Sequence, residues 1–405
     1  MLGTRTGPAR SSEPLRHQST SSWPVSARLP TLIIVALLPA AGCLAISQQD
    51  AGSGGTIADG SGSTAHWINA TARSLSLIVE DKGAYGLAHE SGNGAVQYTR
   101  INGLNVTQTE RLLPLAGGER VEWIEGDFQG GWAAYLVSVV HEGSGGVTER
   151  RISAMVRKPS ERQWHRIEIP ANSLHSSASG PVSFALAPDG TAYALVFSIA
   201  PEPALTLVTI RGKEIQSESI GPPSFGSVAV DTEGKARVCH SDRQGNVIER
   251  TPGGKSSLIH TGNPGESYLC VFAILSDGSA KAAFVAPPAL GSSCLIYDLC
   301  TGSVTNQRYM LGDREANGSW NVASSTIPLH GMPQLSETPD GRVYFQNPAN
   351  EHLVVYQVEA LTASVVRAME YRFPFSTPRS NGTTPAWAYQ QIENQTIVVE
   401  PLIPA

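Results

Sequence analysis

The sequence predicts an all-β protein, and three observations carry that prediction. One strand–turn–strand unit recurs along most of the 405 residues. A second hairpin follows each of the first six units. The last unit is short of strands, while an unpartnered segment near the start is available to complete it. The composition agrees: 40 Gly and 27 Pro supply turns, and no convincing amphipathic helix interrupts the pattern.

The unit is plainest in "SFALAPDGTAYALVFS", residues 183–198, where Pro188-Asp189-Gly190 separates two apolar runs. It returns in "SVAVDTEGKARVCHS" and "VFAILSDGSAKAAFVA". The turn glycines Gly190, Gly234 and Gly278 are spaced 44 and 44, and Gly341 follows 63 later. Gly83 and Gly131 mark two earlier units, and Glu393-Asn394 marks a seventh. Asp-Gly, Glu-Gly or Asn at the tip gives the positive φ that a tight hairpin needs. The accompanying hairpins include 205–210 with 214–220, 246–250 with 256–260, and 295–298 with 304–310.

Four antiparallel strands in each 44 to 60 residues is the pattern of a β-propeller. Seven four-stranded blades fit the count; six or eight are the alternatives, and a pair of β-sandwiches is the competing fold. Small residues in the first strands (Ala185, Ala187, Ala229, Ala273) suit a crowded centre. The segment 65–74 is expected to pair into the last blade, placing the strand at Trp67 beside the strand near Val398. Both chain ends would then close one sheet. In form the units resemble NHL, sialidase and lactonase-type propellers over residues 65–405, and that resemblance implies the fold.

The first residues read as an address. Arg5, Arg10, Arg16 and Arg28 face Glu13 alone within residues 1–42. Arg28 precedes "LPTLIIVALLPAAGC", whose apolar run, 29–38, is short for a membrane span and ends at Pro39. Residues 1–42 are therefore read as an export signal. The small residues Ala40-Ala41-Gly42 before Cys43 resemble a bacterial lipobox, although Ala40 stands where that motif prefers Leu or Val. The resemblance implies lipidation of Cys43, which becomes the mature N-terminus and a membrane anchor. A cleaved secretory signal or an uncleaved anchor over 29–46 are the alternatives, and all three place the remainder outside the cytoplasm. Residues 43–64 are expected to be the anchor cysteine and a flexible tether, since 47–64 is Gly/Ser-rich with little apolar surface to bury. Residues 65–405 form the folded domain.

The net charge is −6, with no basic stripe, which excludes a nucleic-acid partner. A monomer is expected. The sequence has no Gly-x-Ser-x-Gly elbow, Walker loop, His-Glu-x-x-His, Asp-rich calcium loop or Cys-x-x-Cys, and no cofactor or metal is expected.

Candidate chemistry is sparse. His89, His141 and His240 each end a second strand, with Glu90, Glu142 and Asp242 following closely. Converging on one rim, such pairs would bind a divalent metal or polarise a substrate; standing apart, they are solvated strand ends. Trp320 lies in "GDREANGSWNVASSTIPLHG", read as a long loop, and is a candidate contact for a sugar or a protein. Its alternative is packing beneath its own loop. Among the cysteines, the strand positions favour a Cys239–Cys270 bridge over Cys270–Cys294, with all of them as buried small residues the alternative. Two functions follow. The first is a membrane-tethered, non-enzymatic propeller binding a protein or glycan through its loop-rich face. The second is an extracytoplasmic lyase or hydrolase of polysaccharide or lactone, using the rim His and acid residues.

Overall fold

The computed structural model describes residues 55–58, 64–69, 74–80, 84–102, 105–143, 146–170, 180–198, 204–222, 224, 226–264, 268–285, 308–315, 317–328, 334–337, 343–349, 352–370, 379–380, 385–391 and 396–401. The chain divides into units Met1–Gln48 and Gln49–Ala405, and everything described belongs to the second. Every regular element described is a β-strand, and no helix long and apolar enough to cross a membrane is found among these residues.

Two strands come first, β1 (Gly55–Ala58) and β2 (Thr64–Asn69). The first complete sheet is β3 (Leu75–Val79), β4 (Tyr85–Ser91), β5 (Ala95–Asn102) and β6 (Asn105–Pro114). The second is β7 (Glu119–Gln129), β8 (Trp132–Gly143), β9 (Gly146–Arg157) and β10 (His165–Ile169). The third is β11 (Gly180–Leu186), β12 (Ala192–Ser198), β13 (Ala204–Arg211) and β14 (Glu214–Gly221). The fourth is β15 (Ser227–Val230), β16 (Ala236–Ser241), β17 (Val247–Arg250) and β18 (Ser256–His260). The fifth is β19 (Leu269–Ile274), β20 (Ala280–Val285), β21 (Arg308–Arg314) and β22 (Trp320–Pro328). The sixth is β23 (Gln334–Glu337), β24 (Val343–Ala349), β25 (His352–Glu359) and β26 (Thr362–Glu370). Finally β27 (Arg379–Ser380), β28 (Pro385–Gln391) and β29 (Thr396–Pro401) join β2 and β1 in one sheet of order β1-β2-β29-β28-β27.

Each of these sheets is antiparallel, and in the six complete sheets the strands follow in sequence order. The turn chemistry explains why. In Ala187-Pro188-Asp189-Gly190, the Gly190 N–H donates to the Ala187 carbonyl at 2.9 Å, and Gly190 holds φ at +85°. The Ala187 N–H then donates to Thr191 O at 2.8 Å, and Asp189 Oδ1 accepts from Thr191 N at 2.9 Å. That is a type I turn closed by a left-handed glycine. Asp231–Lys235 and Leu275–Ser279 repeat the backbone pattern.

First strands of successive sheets lie side by side, from β3 through β7, β11, β15 and β19 to β23, and β27 lies by β3. The core is distributed between sheets and is not gathered at one centre. Ile78, Val96 and Tyr98 of the first sheet pack on Ile124, Tyr135 and Val137 of the second. Phe272 and Phe284 of the fifth pack with Cys239 and Val247 of the fourth. Trp387 of the closing sheet packs on Tyr344 and Val355 of the sixth. Ala388, Ile397 and Val399 meet Leu75, Leu77 and Leu87 of the first. Each fully buried Leu, Ile or Val in these layers contributes about 1.5–3 kcal/mol. No sheet can bury both faces without its two neighbours.

The expected closure is present: Trp67 is the Cα partner of Val398, in an antiparallel ladder from His66↔Val399 to Asn69↔Thr396. Two expectations are corrected. The span read as tether contains a strand, β1, paired with β2 from Gly55↔Trp67 to Ala58↔Thr64, which makes the closing sheet five-stranded. In the fifth sheet the third and fourth strands are 308–314 and 320–328, not 295–298 and 304–310, and the turn between them is Glu315–Ser319, so the stretch read as a long loop is mostly two strands. The extra residues of that repeat lie between β20 and β21, at 286–307, outside the described residues.

Candidate functional site

The topology gives the strands two unlike ends. One carries the turns joining first to second and third to fourth strands. The other carries second-to-third connections and passages between sheets, and the three candidate histidines lie there.

His89 sits in β4 opposite Leu75 and Gln97, and His240 sits in β16 opposite Ile248. Both are 1 % exposed, so the reading of solvated strand ends is corrected: these rings belong to the interior. Each imidazole is held the same way. His89 Nδ1 donates to the Glu90 carbonyl at 3.3 Å, and His240 Nδ1 donates to the Ser241 carbonyl at 2.7 Å. A carbonyl only accepts, so the proton is on Nδ1 and the buried Nε2 carries a lone pair; neither Nε2 has a hydrogen-bond partner among the described residues. Burial penalises the imidazolium and pushes the His89 pKa down to about 4, and that of His240 downward too.

A glycine makes room for two of these rings. A Cβ on Gly221, at the end of β14, would lie 2.8 Å from His240 Cε1; one on Gly118 would lie 2.9 Å from His141 Cε1. His141 itself is half-buried in β8, opposite Glu119. The three histidines therefore occupy three different sheets.

The candidate acids have local occupations. Asp242 caps its own turn, Oδ1 accepting from Gln244 N at 2.8 Å and Asn246 N at 2.9 Å, and Oδ2 from Asn246 Nδ2 at 2.9 Å. Glu90 is half-buried beside His89, and the Glu142 side chain lies outside the described residues. Among the described residues, no group of three or more His, Cys, Asp or Glu is placed to hold a metal ion.

Trp320 opens β22 opposite Arg314. It packs against the cluster that contains Phe272 and Phe284, and its ring covers Gly312, where a Cβ would meet Trp320 Cε3 at 3.1 Å. Cys239 and Cys270 form a disulfide between β16 and β19, with Cα atoms 5.9 Å apart and both residues fully buried. Cys43, Cys294 and Cys300 lie outside the described residues.

The turn end holds two buried ionic clusters that were not foreseen. Glu80, just past β3, accepts from Arg157 Nη2 of the second sheet at 2.5 Å and from the Tyr98 hydroxyl, with Arg100 Nε 3.0 Å away. The Arg157 guanidinium lies over the Tyr98 and Trp164 rings, and burial with Glu80 pushes the Tyr98 pKa up. Glu249 Oε1 accepts from Arg237 at 3.2 Å and from Arg314 of the fifth sheet at 2.6 Å; Arg237 also reaches Asp231 at 3.0 Å. Each cluster ties one sheet to the next. Scattered single charges gave no sequence signal, because the partners are 77 and 65 positions apart.

Radial sheets packed face to face around adjacent first strands define the class: the protein is a β-propeller. It is similar in fold to solved structures. It is similar to an ulvan lyase of polysaccharide lyase family PL25 (10 % identity, TM-score 0.51, 82 % of this chain and 93 % of that one). It is similar to the polysaccharide lyase Uly1 (10 %, 0.50, 81 % and 89 %). It also matches the Aleuria aurantia fungal lectin, described as a six-bladed β-propeller with a fucose recognition mode (10 %, 0.43, 75 % and 97 %). Identities this low are a likeness of fold. No protein-family model matches the chain, and no curated protein matches it.

Proposed function

We propose that this chain is an extracytoplasmic propeller of seven blades, tethered to the membrane through a lipidated Cys43, that binds a protein or a glycan without transforming it. Binding is assigned to the end that carries the second-to-third connections and the passages between sheets. The carrying observation is the state of the histidines at that end. His89 and His240 are buried, neutral and pinned to their own strands, so two of the three rings that a lyase or hydrolase would draw on as acid or base serve packing. What that end offers to solvent is turn surface such as Asn93, Arg243 and Gln244. The polysaccharide lyases among its structural likenesses make polysaccharides the first ligands to screen.

The test uses the full chain, lipid-anchored on vesicles, against panels of polysaccharides and envelope proteins, with cleavage followed in parallel. A ligand found this way is titrated against Asn93→Arg and Arg243→Glu at the proposed end and Lys213→Glu at the opposite one. Binding weakened at least about tenfold by the first two and not by the third supports the reading. Loss with Lys213→Glu alone moves the site to the turn end, and turnover abolished by His89→Gln or His240→Gln establishes the enzyme instead.

A further inference from the structure

The closing sheet differs from every other described sheet in having a fifth strand, and that strand comes from the segment between Cys43 and the propeller. β1, Gly-Thr-Ile-Ala, pairs in antiparallel register with β2 from Gly55↔Trp67 to Ala58↔Thr64. In the other sheets the outermost strand is the fourth, an exposed edge of the kind that accepts another strand. In the closing sheet β2 would be that edge, and β1 covers it.

We propose that β1 is a strap: docked on β2, it shortens the free part of the membrane tether and fixes which rim of the propeller the tether leaves from. This rests on the lipid-anchor reading of Cys43. With β1 docked, the free tether is residues 44–54; with β1 released it is residues 44–63. At about 3.3–3.6 Å per extended residue, the furthest reach is about 40 Å docked and about 70 Å released. The tether then starts at the outer edge of the closing sheet, not at the top of β2.

The strap is built to be reversible. It has four residue pairs, one of them at Gly55, whose ordering costs more entropy than any other residue's. Thr56 and Ile57 are strand formers, but the segments on both sides are Gly/Ser-rich and hold no β-branched run. What favours docking is proximity. Only residues 59–63 separate β1 from β2, so the strand is presented to its edge at an effective concentration in the millimolar range or above. A short strand at a high local concentration opens and closes readily, and tension on the tether would favour the longer form.

The experiment has two readouts on the full chain. Thr56 and His66 are Cα partners, whereas Gly55 and Thr64 are three positions out of register and separated by a similar length of chain. The pair Thr56→Cys/His66→Cys is expected to cross-link at least about tenfold faster under mild oxidation than Gly55→Cys/Thr64→Cys, because docking raises the local concentration of one pair only. Equal rates overturn the strap. The second readout is energy transfer between a dye in a vesicle bilayer and a dye on Lys213→Cys. Successive N–H groups of a strand point to opposite sides, so Thr56→Pro/Ile57→Pro removes whichever one pairs with β2. This variant is expected to lose transfer relative to the cross-linked one. Equal transfer in the two overturns control of tether length. Register-specific cross-linking with no bilayer signal in either variant overturns the lipid anchor and leaves the docked strand standing.

Discussion

Ser227 Oγ accepts a hydrogen bond from the backbone N–H of Phe272 at 2.8 Å, joining the first strand of the fourth sheet to the first strand of the fifth. The same stitch recurs around the centre. Ser76 accepts from Gly126 N at 2.9 Å, Asp127 Oδ2 from Leu186 N at 2.9 Å, and Ser183 from Val228 N at 3.1 Å. A first strand is the inner edge of its sheet, so a row of its N–H groups faces no strand of its own sheet. Burial without a partner would be costly. A short hydroxyl or carboxylate from the preceding sheet reaches each of these N–H groups. Ser227→Ala should therefore cost about 1–3 kcal/mol, since it strands a buried N–H. Ser279→Ala, in an exposed turn, should change stability by less than about 0.5 kcal/mol. Denaturant midpoints of the two variants decide it, and a Ser227→Ala loss no larger than that of Ser279→Ala sinks the stitch as a stabilising device.

The hairpins were legible in the sequence because tight turns demand particular residues at particular places: Pro188-Asp189-Gly190 forms the turn its chemistry requires. Closure was legible because an unfinished last unit needs a partner, and Trp67 opposite Val398 supplies it. The stitches were not. Serine in a strand is ordinary, and only the neighbouring sheet shows what its hydroxyl meets. Register in the fifth sheet also misled, for a physical reason. Gly312 looks like a loop residue, yet it lies in β21 under the Trp320 ring, which leaves little room for a side chain. The histidines failed similarly: a lone His before an acid looks exposed, and only packing shows His89 and His240 to be interior.

Gly221 and His240 should be coupled. Gly221 has no positive φ to require glycine, so its constraint is the space occupied by the His240 ring, with Cε1 at 2.8 Å and Nδ1 at 3.2 Å from an added Cβ. That ring cannot swing away cheaply, because Nδ1 is bonded to Ser241 O. Gly221→Ala should cost about 1–3 kcal/mol as overpacking. In a His240→Ala background much of that cost should vanish. Additive losses across the double-mutant cycle would show that Gly221 matters for some other reason.

His89 should make the fold acid-sensitive in a defined window. Its pKa falls from 6.5 in the unfolded chain to about 4 in the folded one through burial. The folded state thus favours the neutral ring, and the unfolded chain binds the extra proton first. The stabilising contribution is whole above pH 6.5, declines as pH falls from 6.5 to 4, and is gone below. Its size is on the order of 3 kcal/mol. His240, shifted the same way, adds a slope of the same sign. Carboxylates in ion pairs also lose stability in acid, so the informative quantity is the difference between wild type and His89→Gln. That difference should change between pH 6.5 and 4 and be flat above 7. A flat difference throughout would mean that the ring is protonated with no penalty.

The Cys239–Cys270 disulfide joins residues 31 apart in sequence and ties β16 to β19 across the interface of the fourth and fifth sheets. Closing a loop of that length in the unfolded chain is worth about 3–4 kcal/mol on the chain-entropy account. Both residues are fully buried, so a reductant reaches the bond only when these two sheets part. Reduction of the native protein should therefore be slow without denaturant and accelerate steeply as unfolding begins. Cys239→Ala/Cys270→Ala should unfold at lower denaturant, and dithiothreitol should leave its midpoint where it is while lowering that of the wild type. The pair also lies beside the stitch from Ser227 to Phe272, so a covalent and a hydrogen-bonded tie cross the same interface. Ser227→Ala should consequently cost more in the reduced or double-alanine background than in the oxidised protein, because a parted interface is no longer held by the second tie. Equal costs in both backgrounds would mean that the two ties act independently.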